Sequence, residues 1–196
     1  MMLALALVSS LVAVFVYCGD VLNLYRARRR KTVELNIQAS FPAVVALVIS
    51  ILLFNIPGER TVSEGAALVY LFAFGWLTGL GLAQLYKIVA FLTWLEAYGP
   101  VLGKMAVPRV QDLVDESFAR ILFRIYYGAV VAAALALAAD MQDVFRVVVG
   151  LQLLSSLGLM REFIRTRRLS IVPATLRAPD SVVRPNLFLP LFVPRR

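Results

Sequence analysis

The sequence contains no histidine and a single cysteine, Cys18. Histidine is the commonest metal ligand, the usual haem ligand and the usual general base near neutral pH. Familiar metal, haem and acid–base centres therefore lack their main residue. One cysteine excludes a disulfide within the chain and any cysteine cluster for zinc or iron–sulfur. Cys18 lies inside the first apolar run and reads as a small buried apolar residue. Charge is scarce too, at 16% of 196 residues, while 61% are hydrophobic. A soluble domain holds roughly 25% charged and 45–50% apolar residues. With a mean hydropathy of +0.82, the surplus apolar surface calls for lipid.

What charge there is carries a sign. The net charge is +8. In a membrane protein, basic residues mark the cytoplasmic loops and meet anionic headgroups there, so no nucleic-acid partner is implied. Five apolar runs can be traced, at about 2–24, 37–56, 65–98, 121–139 and 144–160. Each reaches or approaches the ~20 residues that cross ~30 Å of hydrocarbon. The first lacks a positive n-region and a small-residue cleavage site, so it is expected to stay as a span. The third, ending at Gly99-Pro100, is longer than the bilayer needs. It either continues as one tilted helix or breaks and turns along the interface.

Basic residues cluster in three segments: Arg26, Arg28, Arg29, Arg30 and Lys31; Lys104, Arg109, Arg120 and Arg124; and Arg161, Arg165, Arg167 and Arg168. The two intervening loops hold only Arg60 and Arg146. With five spans all three basic segments fall on one side, which predicts an N-terminus outside and a C-terminus in the cytoplasm. The expected fold is an all-α membrane bundle over residues 1–165 with an extended tail over 166–196. From Val107 to Leu122, Val110, Leu113, Val114, Phe118 and Ile121 recur at helical spacing opposite Gln111, Asp112, Asp115 and Glu116. That pattern predicts a short amphipathic helix on the cytoplasmic membrane surface. The tail carries five of the nine prolines, Pro173, Pro179, Pro185, Pro190 and Pro194, and cannot be helical. Its apolar stretch, with Leu187, Phe188, Leu189, Leu191 and Phe192, is expected to dock on the bundle or on a partner subunit. No internal repeat suggests an inverted-repeat transporter.

Few residues inside the spans can carry chemistry. Lys87 either snorkels to the interface or pairs with Asp20 or Glu96 within the membrane. Gly75, Gly79 and Gly81 have the small-residue spacing that lets helices approach closely. Gln84 and Gln152 can hydrogen-bond across helices. Ser155 and Ser156 read as packing or back-bonded residues. No catalytic constellation, cofactor site or metal site is expected.

The segment Gly75-Trp-Leu-Thr-Gly-Leu-Gly-Leu-Ala-Gln-Leu-Tyr-Lys-Ile-Val-Ala-Phe-Leu-Thr-Trp-Leu-Glu-Ala-Tyr-Gly99, followed by Val107-Pro108-Arg109, resembles bacterial membrane proteins distantly related to haem–copper oxidase subunit I. That group shows Leu-Tyr-Lys-Ile-Val-Pro-Phe and then Trp-Leu-His. Here Ala90 stands at the proline position and Glu96 at the histidine position. The resemblance implies a shared scaffold and carries over no haem or copper site. Together these features suggest a non-catalytic subunit, or an assembly or stabilising factor, of a bacterial inner-membrane complex, respiratory or otherwise redox-active. The alternative is a small oligomeric transporter or channel using Lys87 with Asp20 or Glu96.

Overall fold

A computed structural model describes residues 2–27, 33–173 and Leu176. The basic residues 28–31 and the apolar tail residues Leu187, Phe188, Leu189, Leu191 and Phe192 lie outside these. Among the described residues the structure is all helical, without strands. Helices α1 (Met2–Arg26) and α2 (Leu35–Asn55) are followed by α3 (Val62–Tyr70). A π-helical segment (Leu71–Thr78) joins α3 to α4 (Gly79–Tyr98), and α5 (Glu116–Ala138) and α6 (Gln142–Arg167) complete the bundle. Five stretches are long and apolar enough to cross a membrane: Leu5–Arg26, Leu35–Asn55, Val62–Val101, Glu116–Ala138 and Gln142–Arg167.

The third stretch is one unbroken helical rod of 40 residues, about 60 Å long at 1.5 Å per residue. Ala90, where a proline would have broken the backbone ladder, is buried within α4. The rod starts at a capping box: Thr61 Oγ1 accepts from Glu64 N, and Glu64 Oε2 from Thr61 N. In its π-helical segment the wider turn re-aims carbonyls. Tyr126 Oη donates to Phe74 O at 2.7 Å and Thr78 Oγ1 to Ala73 O at 2.9 Å. α2 and α5 flank the rod, and α6 packs along α5 and against α4.

The core uses small side chains, as bundles in lipid do, because van der Waals approach replaces the hydrophobic drive. Ala39, Ala43, Ala83, Ala119, Ala129 and Ala133 are all buried. Two of the three expected packing glycines sit at such approaches. A Cβ on Gly75 would lie 2.8 Å from Ala46 Cβ, and one on Gly79 would lie 2.7 Å from Tyr127 Oη. Gly81 meets nothing within 4 Å, because its face of the rod points away from the neighbouring helices. Gly158 takes the third close approach instead, 2.8 Å from Leu122 Cδ2. α1 stands apart: no residue in its apolar window is buried, it lies against α2, and Cys18 is partly exposed rather than buried.

The segment before α5 differs from the expected amphipathic helix. Val110–Leu113 form a 3₁₀ turn, Val114 is extended, and Asp115 caps α5 by accepting from Phe118 N at 3.1 Å. The helix starts at Glu116, nine residues after the Val107 start that the periodicity suggests, and Leu113 turns inward rather than toward lipid. It is fully buried in a small cluster with Ala97, Tyr98, Val101, Leu169 and Val172. After α6 the chain reverses at Leu169, whose φ of 52° lies in the left-handed region. Ser170 N then bonds Arg165 O at 3.2 Å and Leu169 N bonds Thr166 O at 3.0 Å, the helix-ending pattern that usually uses glycine. Leucine holds the position because its side chain fills the cluster.

The glycines give a direct test. Gly79→Ala drives a methyl into Tyr127, whose Oη is tied to Ala39 O at 2.7 Å, and is expected to cost about 1–3 kcal/mol. Gly81→Ala is expected to be neutral or to stabilise by up to about 1 kcal/mol. Reversible unfolding in mixed micelles measures both; equal costs would contradict the packing described.

Candidate functional site

The polar side chains of the bundle gather at one end, where α2, α5 and the loop after α4 begin and where α1, α4 and α6 finish. This is the end with the three basic segments. Glu34, just before α2, makes no side-chain cap to that helix. It forms an ion pair with Lys87 of α4 instead. Neither Asp20 nor Glu96 takes the place expected for it. Asp20 is exposed on the peripheral α1, too far out in the packing to meet the rod. Glu96 pairs with Arg167 at the end of α6, and Arg167 also reaches Thr93 Oγ1 at 3.4 Å. The two pairs differ in solvation. Lys87 and Glu34 keep 38% and 24% of their side-chain surface, whereas Arg167 and Glu96 keep 16% and 8%.

A third ion pair joins Arg165 to Glu162 at 2.9 Å, with Glu162 almost wholly buried. Trp94 Nε1 donates to Pro108 O at 2.7 Å and anchors the loop before α5 to the rod. Between Glu34, Asn36, Tyr86, Lys87, Gln111 and Glu116 lies a void of about 20 Å³, enough for one water. Two buried polar atoms of the residues lining it, Asn36 Oδ1 and Tyr86 Oη, have no hydrogen-bond partner among the described residues. A water in the void would satisfy Asn36 and Tyr86 at the cost of little entropy.

Further from this end, polar groups are used locally. Gln84 Nε2 donates to Ser40 Oγ at 3.0 Å. Tyr70 Oη donates to Gln152 Oε1. Ser155 and Ser156 both bond back to Gln152 O, at 2.8 and 2.9 Å. Among the described residues, no group of three or more histidine, cysteine, aspartate or glutamate side chains could hold a metal. The site's chemistry is ion pairing, hydrogen bonding and helix fastening. Sequence reasoning missed Glu34 and Arg167 as partners. Their signal was positional, since both stand at the basic ends of their helices, level with the overshooting end of the third apolar run.

The difference in burial sets the energies. Removing one member of a buried ion pair leaves an uncompensated charge at about 3–5 kcal/mol, while replacing both by apolar residues is often near neutral. Glu96→Leu or Arg167→Met alone is therefore expected to destabilise by several kcal/mol, and the double variant to recover most of it. Lys87→Met should cost less than about 1 kcal/mol, as half-solvated pairs do. A double-mutant cycle by unfolding in mixed micelles checks this, and equal coupling in the two pairs would contradict it.

No protein-family model matches the chain, and neither a curated protein nor a solved structure matches it.

Proposed function

We propose that this chain is a non-catalytic subunit, or an assembly or stabilising factor, of a larger bacterial membrane complex, respiratory or otherwise redox-active. The observation that carries the reading is how its interior polar side chains are used. Lys87 is matched to Glu34, Glu96 to Arg167, Tyr70 to Gln152, and Tyr126 and Tyr127 to main-chain carbonyls. The other buried positions are mostly apolar, alanine above all, and the buried Ser50 and Ser155 bond back to carbonyls of their own helices. Such an interior fastens helices together and offers no polar route across the bilayer.

Two further features support a role within an assembly. α1 exposes Leu5, Val8, Val12, Phe15 and Leu22 along nearly its full length, a surface suited to lipid or to the helices of other subunits. Leu169, Val172 and Leu176 pack back onto the basic end, against Tyr98, Val101 and Leu113. The resemblance to relatives of haem–copper oxidase subunit I supports a respiratory setting. Glu96, at that group's histidine position, is committed to Arg167 and acts as a fastener rather than a ligand. The chain sits in the bacterial cytoplasmic membrane with its N-terminus outside and C-terminus inside, as the three basic segments support. Those segments also meet anionic headgroups there.

Extraction of the native membrane in a mild detergent is expected to yield the 21.7 kDa chain in a larger particle with other membrane polypeptides. Deleting residues 180–196 should reduce that recovery several-fold while the shortened chain still inserts. A particle containing only copies of this chain would overturn the proposal, and so would flux through proteoliposomes that Lys87→Leu abolishes.

A further inference from the structure

The side of the bundle between α2, the first half of the rod and α5 carries a groove of about 780 Å³, within the roughly 300–1,000 Å³ of small-molecule sites. Its origin lies in residue size. Ala46, Gly75, Ala67 and Ala134 make its floor low, and the α2 and rod backbones approach until no Cβ fits at Gly75. One wall is a ridge of α2 at four-residue spacing, Phe41, Val45, Ile49 and Leu53. The other is Val131 and Leu135 of α5, both more than half exposed. From Phe41 to Ile56 the groove follows α2 for about 22 Å. That is more than half of a ~30 Å hydrocarbon core, enough to span one leaflet.

The charged residues lining the groove are Glu59, Arg60 and Glu64, all at the end opposite the basic segments, beside the α2–α3 turn. Arg60 is fixed there: Nη2 donates to Ile56 O at 2.7 Å and to Leu53 O, and the guanidinium stands over the Phe54 ring, 5.9 Å from its centroid. Those bonds use one nitrogen of a five-donor group. Glu64 gives one carboxylate oxygen to Thr61 N, and Glu59 is exposed. A leaflet-deep apolar slot therefore ends in one fixed guanidinium flanked by two carboxylates.

We infer that this groove holds an acyl chain of an amine-bearing zwitterionic phospholipid, its phosphate on Arg60 and its ammonium on Glu59 or Glu64. Charge complementarity selects this class. An anionic lipid without an amine meets Arg60 but is repelled by both carboxylates, and a purely apolar helix leaves all three charges unmatched. Binding through the phosphate is charge-assisted and favours arginine's planar fork.

The test uses the full chain in nanodiscs of equal phosphatidylethanolamine and phosphatidylglycerol, followed by native mass spectrometry of retained lipid. One phosphatidylethanolamine is expected to be retained at least five-fold in preference to phosphatidylglycerol. Ala134→Trp, which fills the slot, should remove that adduct, and Arg60→Gln should weaken it. Because Arg60 also closes the end of α2, the Glu59→Gln, Glu64→Gln double variant supplies an independent arm. Glutamine keeps the capping box at position 64, and the preference should shift toward phosphatidylglycerol. Equal retention of the two lipids, retention unchanged by Ala134→Trp, or a preference indifferent to the two glutamines would each overturn the inference.

Discussion

The length of one helix sets the terms for the rest of the molecule. Val62–Val101 is about twice as long as a bilayer requires, so part of it must lie beyond the hydrocarbon. The overshoot carries Lys87 and Glu96, the two charges of α4. A charge at that depth is tolerated when paired or drawn to the interface, and the neighbouring helices supply both remedies. α2 begins beside Lys87 with an acidic residue whose side chain is not needed as a cap. α6 runs on as far as Arg167, which its last turn places against Glu96. The charged junction is thus a consequence of the overshoot, and it fixes how the four packed helices register at that end.

The same rod explains why the opposite half is apolar and indented. There the contacts with α2 and α5 fall on Gly75, Gly79 and alanines, which bring backbones close without filling the space beside them. Close approach at the floor and sparse side chains along the rim are two results of one choice of small residues. The π-helical segment lies at this level. Its re-aimed carbonyls are taken up by Tyr126 and Thr78 rather than left facing lipid, where each unsatisfied group would cost several kcal/mol.

Hydropathy made the element order legible because a span must be long and apolar whatever its neighbours are. Five stretches appear where five were expected, although the fourth begins at Glu116 rather than 121 and the last runs on to Arg167, past the expected 160. Pairing was less legible because it depends on which helix sits where. Asp20 is a carboxylate like Glu34 and on an equally suitable end, but α1 is peripheral, and no residue pattern in α1 announces that. Gly81 has the same spacing credentials as Gly79 and points the wrong way by the rotation of two residues. The Val110–Ile121 periodicity failed differently. Its apolar positions are real, but Asp115 is a better helix start than a helix interior, and Leu113 had a protein cluster to enter.

Glu96 is where fold and function meet. A histidine at such a position could accept a metal, a proton or a hydrogen bond. A carboxylate buried against Arg167 has a narrower repertoire. The pair is satisfied in one arrangement, Arg167 gains Thr93 as a second acceptor, and separating them would strand a charge in a poorly hydrated place. Glu96 thereby serves as a fastening between the rod and the last helix. Immediately after that fastening the chain reverses at Leu169 and covers Tyr98 and Val101 with Val172 and Leu176. A buried ion pair thus holds the final helix in one register at the point where the chain turns back onto the rod.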